Sequence, residues 1–323
     1  MRTLIQNVLI SGTMRSGTTL LASLIDSHPE INIVSDRMTF YWKYLFSKNK
    51  EISTLHEVKI FVQEILPSIV HLNDDNLSKY FESEKFYDDI LRNKIDYYSV
   101  YLVLMAKLYY ADLDGKVIGS KATHRWGVYD DYLKYFDKPK VIHIIRNPFD
   151  TYYSHKSRMN QFYTNPSVIK KYYNDIKLRT GLLFIDRKYY LAGYNSFNNF
   201  IYQNPMSIIN EWSIGTNKAF NFRDDKRVLI LRYEDLVTHL TGTMKNIFSH
   251  LEVNYDETFK NMKSLKNSLG NEFIANSSFK DKQIDYISRN SIGKSLQKLS
   301  NEEIAEIKDI SMPFLKKLYP EMI

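Results

Sequence analysis

An α/β fold, with a central parallel sheet flanked by helices, is predicted by two features of the chain. Short β-branched apolar runs recur at residues 7–11, 117–121, 141–146 and 228–232, each followed by a helical pattern, and this alternation builds parallel strands with helices on both faces. The first run leads into a glycine-punctuated turn in which Gly12 and Gly17 stand at the spacing of a phosphate-cradling P-loop. In such sheets ligands gather beyond the carboxyl ends of the strands, so that edge is where the chemistry is expected.

Taken in order, residues 7–11 form the strand and Thr18 to Ser27 carry apolar residues at helical spacing, which puts the glycines at a strand-to-helix turn. Backbone N–H groups there converge on one point and the helix dipole favours an anion. The hydroxyls of Ser16, Thr18 and Thr19 add donors. The lysine of the ordinary GxxxxGK[ST] pattern is absent: Thr18 and Thr19 follow Gly17, and the cation stands earlier, at Arg15. An arginine forks onto phosphate or sulfate oxygens. The loop therefore suits a phosphate, but not the triphosphate of a nucleotide hydrolase.

Two long segments, about 37–116 and 157–204, read as mainly helical and rich in Tyr, Phe and Asn. They are expected as insertions that wall an acceptor pocket. Gly and Pro are sparse, at 11 and 8, and no low-complexity tract separates the parts, so residues 1–323 read as one domain. The run at 141–146 ends in Arg146, Pro148 fits the first turn of a helix, and Ser154 follows about two turns on. Arginine and serine so placed can grip a second phosphate. The last run leads into Arg232, Tyr233, Glu234 and Asp235. The two adjacent carboxylates point apart, and are expected to cap the next helix or pair with arginines rather than share a metal. Trp212 is expected in the core, and His28 in a structural turn.

Composition sets the limits. The chain has no cysteine, which excludes disulfides, thiolate zinc sites and cysteine nucleophiles. Its net charge of +7 suits anionic ligands, yet no arginine-rich arm, zinc finger or aromatic RNA-binding motif directs it to nucleic acid. No apolar leader and no run of membrane-spanning length is seen, so a cytoplasmic location is expected. No His or carboxylate pattern forms a metal site.

With these motifs in hand, the sequence resembles the sulfotransferases that use 3′-phosphoadenosine 5′-phosphosulfate (PAPS). Residues 15–20 look like that family's 5′-phosphosulfate loop, 141–148 with Ser154 like its 3′-phosphate site, and 229–237 like the strand-helix element whose tyrosine lies beside adenine. A weaker fourth match comprises residues 276–279, 291–294 and 299–303. The resemblance implies that Arg15 holds the bridging oxygen and sulfuryl group and that Ser16, Gly17, Thr18 and Thr19 cradle the 5′-phosphate. It further implies that Arg146 and Ser154 hold the 3′-phosphate, that Tyr233 flanks adenine, and that Gly293 with Lys294 closes over the 3′ side.

Sulfuryl transfer to a hydroxyl also needs a proton acceptor and charge neutralisation at the leaving phosphate. Lys121, at the end of its strand, resembles the family's catalytic lysine. Two residues compete as base. Asp36 follows the His28–Ile31 element where carbohydrate and tyrosylprotein sulfotransferases carry a glutamate, and would act from the loop after the second strand; His124 stands where the small-molecule enzymes keep a histidine. The His28–Ile31 context favours Asp36. The implied acceptor is a hydroxyl of a carbohydrate, a peptide tyrosine or a small hydrophobic alcohol. The alternatives are a P-loop kinase or nucleotide hydrolase, disfavoured by Thr18 in the lysine position, and a catalytically silent nucleotide-binding protein.

Overall fold

The structure, a computed structural model, describes residues 6–35, 54, 56, 117–123, 126–164, 204–255, 289 and 292–323. Asp36, His124, residues 276–279, and nearly all of the two aromatic segments lie outside the described residues, as does Ser291.

Among the described residues five strands form one wholly parallel sheet. They are β1 (Gln6–Gly12), β2 (Ile31–Ser35), β3 (Val117–Lys121), β4 (Pro139–Ile145) and β5 (Val228–Arg232), in the order β2-β3-β1-β4-β5. The chain moves outward from β1 to β2, returns to β3, then crosses β1 to reach β4. That reversal opens a crevice beside the carboxyl end of β1. All four expected strands are present, with Arg146 just past the end of β4. The additional strand, β2, is short and interrupted by the polar Asn32, so it lacks the continuous apolar run of the others.

Among the described residues the helices are α1 (Thr18–Asp26), α2 (Tyr129–Tyr135), α3 (Pro148–Thr164), α4 (Ser207–Asn221), α5 (Tyr233–Thr238), α6 (Leu240–His250) and α7 (Asn301–Leu318). Alternation along the strands feeds two cores, one on each face. Val8, Ile10, Ile142 and Ile144 pack against Leu21, Leu24 and Ile25 of α1 and Met244, Ile247 and Phe248 of α6. On the opposite face Ile145 joins Phe149, Ile208, Trp212, Phe314 and Leu315 from α3, α4 and α7. Burying side chains of this size stabilises by roughly 2 kcal/mol each, and both faces are sealed, as a parallel sheet requires.

The start of α7 is fixed by a capping box: Ser300 Oγ accepts from Glu303 N and the Glu303 carboxylate from Ser300 N. The same carboxylate also accepts from Tyr152 Oη at 2.6 Å and Lys156 Nζ at 2.5 Å, tying α7 to α3. Among the described residues, no helix is long and apolar enough to cross a membrane.

Candidate active site

Four sequence-separated turns meet at the carboxyl edge of the sheet. The first follows β1, where Ser16 N donates to Thr13 O at 3.1 Å and Arg15 stands in the left-handed region at φ 71°. A non-glycine residue there is strained. Both loop glycines are required by close approach. A Cβ on Gly12 would lie 2.5 Å from Ile144 O, and one on Gly17, at φ 92°, would lie 2.3 Å from Cδ2 of Tyr233. Gly17 is the N-cap of α1 and supplies no side-chain cap, and no acidic residue occupies the first turn. The backbone donors of α1 thus face the loop without a competing carboxylate. Ser16 is fully buried and, among the described residues, its hydroxyl has no hydrogen-bond partner. An uncompensated buried hydroxyl is costly, and an anion in the loop supplies the acceptor it lacks. These features fit a phosphate group.

The second turn follows β4. Arg146, 8% exposed, donates from Nη1 to Arg15 O at 3.2 Å, and its guanidinium lies 4.6 Å from the centroid of the Tyr233 ring. Its own carbonyl accepts from Trp212 Nε1 at 2.7 Å, so the buried tryptophan of α4 fixes the turn. Asn147 then caps α3: its Oδ1 accepts from Phe149 N at 2.9 Å and Asp150 N at 3.3 Å. Ser154 Oγ accepts from Arg15 Nε at 3.1 Å. Residues assigned by resemblance to opposite ends of PAPS therefore touch. Arginine carries five donors, so an Nε bond to Ser154 orients the fork without consuming it.

The third turn follows β5, where Tyr233 lies wedged between Gly17 and the Arg146 guanidinium. Glu234 beside it pairs with Arg232, one of the two expected alternatives, and has closer partners as well. Its carboxylate accepts from Asn147 N at 3.0 Å and Tyr319 Oη at 2.9 Å, with Arg232 Nε more distant at 3.9 Å. Burial raises its pKa against the opposing effect of these donors. It ties the ends of β4 and β5 together.

The fourth element is β3. Lys121 is 5% exposed and donates from Nζ to Thr19 Oγ1 at 3.4 Å, while the next residue is pinned to β1 by Ala122 N donating to Ile10 O at 2.8 Å. A buried lysine reaching the P-loop places positive charge where Thr18 leaves it lacking. Gly293 and Lys294 are exposed in a loop held against α3. His28 is structural: Glu30 N donates to its Nδ1, so Nε2 carries the proton to Asn254 O at 2.9 Å, and the ring packs on Phe248.

Sequence reasoning missed Asn147, Glu234 in its tying role, and Asp150. Asn before Pro at a helix start was a readable cap signal. The carboxylate contacts span too much sequence to leave one.

Comparison with known proteins agrees with this geometry. A model described as "Sulfotransferase family" matches residues 7–191, more than half of the chain. No curated protein matches significantly. Among solved structures, the fold is similar to the sulfotransferase domain from the curacin biosynthetic pathway, with 16% identity, 96% of this chain and 97% of that chain covered, and a TM-score of 0.54. It is also similar to the sulfotransferase domain of the Synechococcus PCC 7002 olefin synthase, with 15% identity, coverage of 96% and 94%, and a TM-score of 0.51. Identities this low speak for the fold; the family match speaks for the chemistry. The chain belongs to the sulfotransferase family, and its reaction class is sulfuryl transfer.

Proposed function

We propose that the protein transfers the sulfuryl group of PAPS to a hydroxyl of an acceptor molecule, a carbohydrate, a peptide tyrosine or a small hydrophobic alcohol. The observation that carries this reading is the pairing of a lysine-less P-loop with a second arginine: Arg146 packs onto the backbone of Arg15 and onto Tyr233, so cations stand at two neighbouring turns rather than along one triphosphate track. PAPS, when bound, supplies the sulfuryl group and a 3′-phosphate. Ser16 to Thr19 would hold the 5′-phosphate, Arg146 and Ser154 the 3′-phosphate, and Tyr233 the edge of the adenine pocket. Gly293 and Lys294 would lie on the 3′ side.

Arg15 and Lys121 would place positive charge on the oxygens that gain charge as the sulfuryl group leaves, where electrostatic stabilisation acts most strongly. The acceptor hydroxyl must lose a proton, and Asp36 is our preferred base, with His124 the competitor. An acceptor library incubated with PAPS and read by mass spectrometry tests the reaction: a mass gain of one sulfuryl group on a hydroxyl compound is expected, and no transfer to any acceptor would leave only a nucleotide-binding role. With the acceptor known, Asp36→Asn should abolish transfer while PAP, the desulfated product, binds as before, and His124→Asn should do much less. The reverse ranking, with activity falling as pH drops through about 6.5, would make His124 the base.

A further inference from the structure

Asp150, between Arg146 and Ser154 in sequence, is a carboxylate with four hydrogen bonds. It is 3% exposed in the first turn of α3. Its Oδ2 accepts from Gly293 N at 2.8 Å and Asn147 Nδ2 at 3.2 Å; its Oδ1 accepts from Ser295 Oγ at 2.6 Å and Ser295 N at 3.3 Å. Three of these four donors come from one short piece of chain, 143 to 145 residues away in sequence. Ser295 is itself fully buried, whereas Lys294 between the two anchored residues is exposed. A buried carboxylate is costly unless its lone pairs are filled, and here the residues that fill them are a strap.

The placement of Asp150 on α3 gives that strap a purpose. Asp150 and Ser154 are four residues apart and so share a helix face. Ser154 takes Arg15 from the P-loop, and Asp150 takes Gly293 and Ser295 from the C-terminal side. One helix face therefore holds both the strap and the P-loop, whose Arg15 carbonyl accepts from Arg146.

We propose that Asp150 is a positioning residue that clamps the Gly293–Ser295 strap so that Lys294 is presented to the 3′-phosphate of the co-substrate. This rests on the PAPS reading above. Asp150 does not touch the nucleotide; it acts through the strap, and the ligand group it serves is a phosphate monoester on the ribose.

The test is a binding cycle on the full chain, with PAP and adenosine 5′-phosphate as probes. Wild type measured on both probes first checks the underlying reading, since equal affinities there would sink PAPS use rather than the clamp. Given a preference for PAP, Asp150→Asn should weaken PAP by about tenfold, the loss of a hydrogen bond to a charged group passed on to Lys294, and leave adenosine 5′-phosphate within about twofold. Lys294→Ala should weaken PAP similarly, and adding Asp150→Asn to it should change little further. Ser295→Ala, a milder lesion if Asp150→Asn folds poorly, should weaken PAP by about threefold. Equal weakening of both probes by Asp150→Asn would reduce the residue to a fold-stabilising role. An undiminished effect in the Lys294→Ala background, or unchanged PAP affinity in both Asp150→Asn and Ser295→Ala, would overturn the proposal.

Discussion

The turns after β1 and β4 sit side by side at the same edge of the sheet, and each leads into a helix, but they are built on opposite plans. After β1 the helix start is left uncapped: Gly17 offers no side chain, and backbone N–H groups and the buried Ser16 hydroxyl line the loop. After β4 the corresponding N–H groups of α3 are already taken by Asn147, and Asp150 occupies the first turn. A helix end so filled has little dipole left for a ligand, so on the proposed reading that turn would act through side chains, the long Arg146 and the short Ser154. The difference teaches that one turn leaves its backbone donors open, whereas the other fills them and projects an arginine.

The first plan breaks most readily at Gly17. An alanine there brings its Cβ within 2.3 Å of Tyr233 at a φ of 92°, which should cost about 3 kcal/mol and displace the ring on which Arg146 rests. Thermal denaturation and nucleotide titration of Gly17→Ala should show both losses. A variant of wild-type stability and affinity would mean that the loop does not depend on this approach.

A smaller effect is expected beneath both turns, where Tyr129 Oη at the start of α2 lies 2.6 Å from Nδ1 of His143 on β4, with His143 in register with Ser11 of β1. Burial holds the imidazole neutral by lowering its pKa to about 3, and raises that of the Tyr129 phenol. The folded pKa lies below the unfolded one, near 6.5, so the unfolded chain binds the proton first. The contribution is complete above about pH 6.5 and is lost as pH falls toward 3. Between pH 6.5 and 5 this amounts to about 2 kcal/mol. Denaturant unfolding across that range should show it in wild type and show less in His143→Gln; identical slopes would remove His143 from the account.

The mildest change sharpens the contrast. Asn147→Ala uncaps α3 and should cost about 1 kcal/mol, while exposing backbone donors like those of α1. Urea midpoints should register the loss, and an unchanged midpoint would show that the cap carries no weight.

The framework was readable because β-branched runs and glycine spacing are local signals. Val117–Lys121 and Val228–Arg232 announce themselves by composition, and Gly12 and Gly17 by the backbone approach they permit. Ile31–Ser35 gives a weaker signal because Asn32 breaks its apolar run and it lies at the sheet edge. The linking carboxylates were not readable. Glu234 was expected to cap a helix or meet an arginine; it does pair with Arg232 at 3.9 Å, but its closer partners are Asn147 and Tyr319, and Asp150 meets residues over a hundred positions away. Such contacts are set by tertiary proximity, which no window of sequence contains. Asp36 and His124, the two proposed bases, lie outside the described residues.

The central claim is that the turn after β4 recognises a second, separate phosphate. Isothermal calorimetry of PAP and adenosine 5′-phosphate, on wild type and Arg146→Ala, tests it most directly. Wild type should bind PAP far more tightly, and Arg146→Ala should lose roughly tenfold to a thousandfold for PAP while changing little for adenosine 5′-phosphate. Equal affinity of wild type for the two nucleotides would contradict the account.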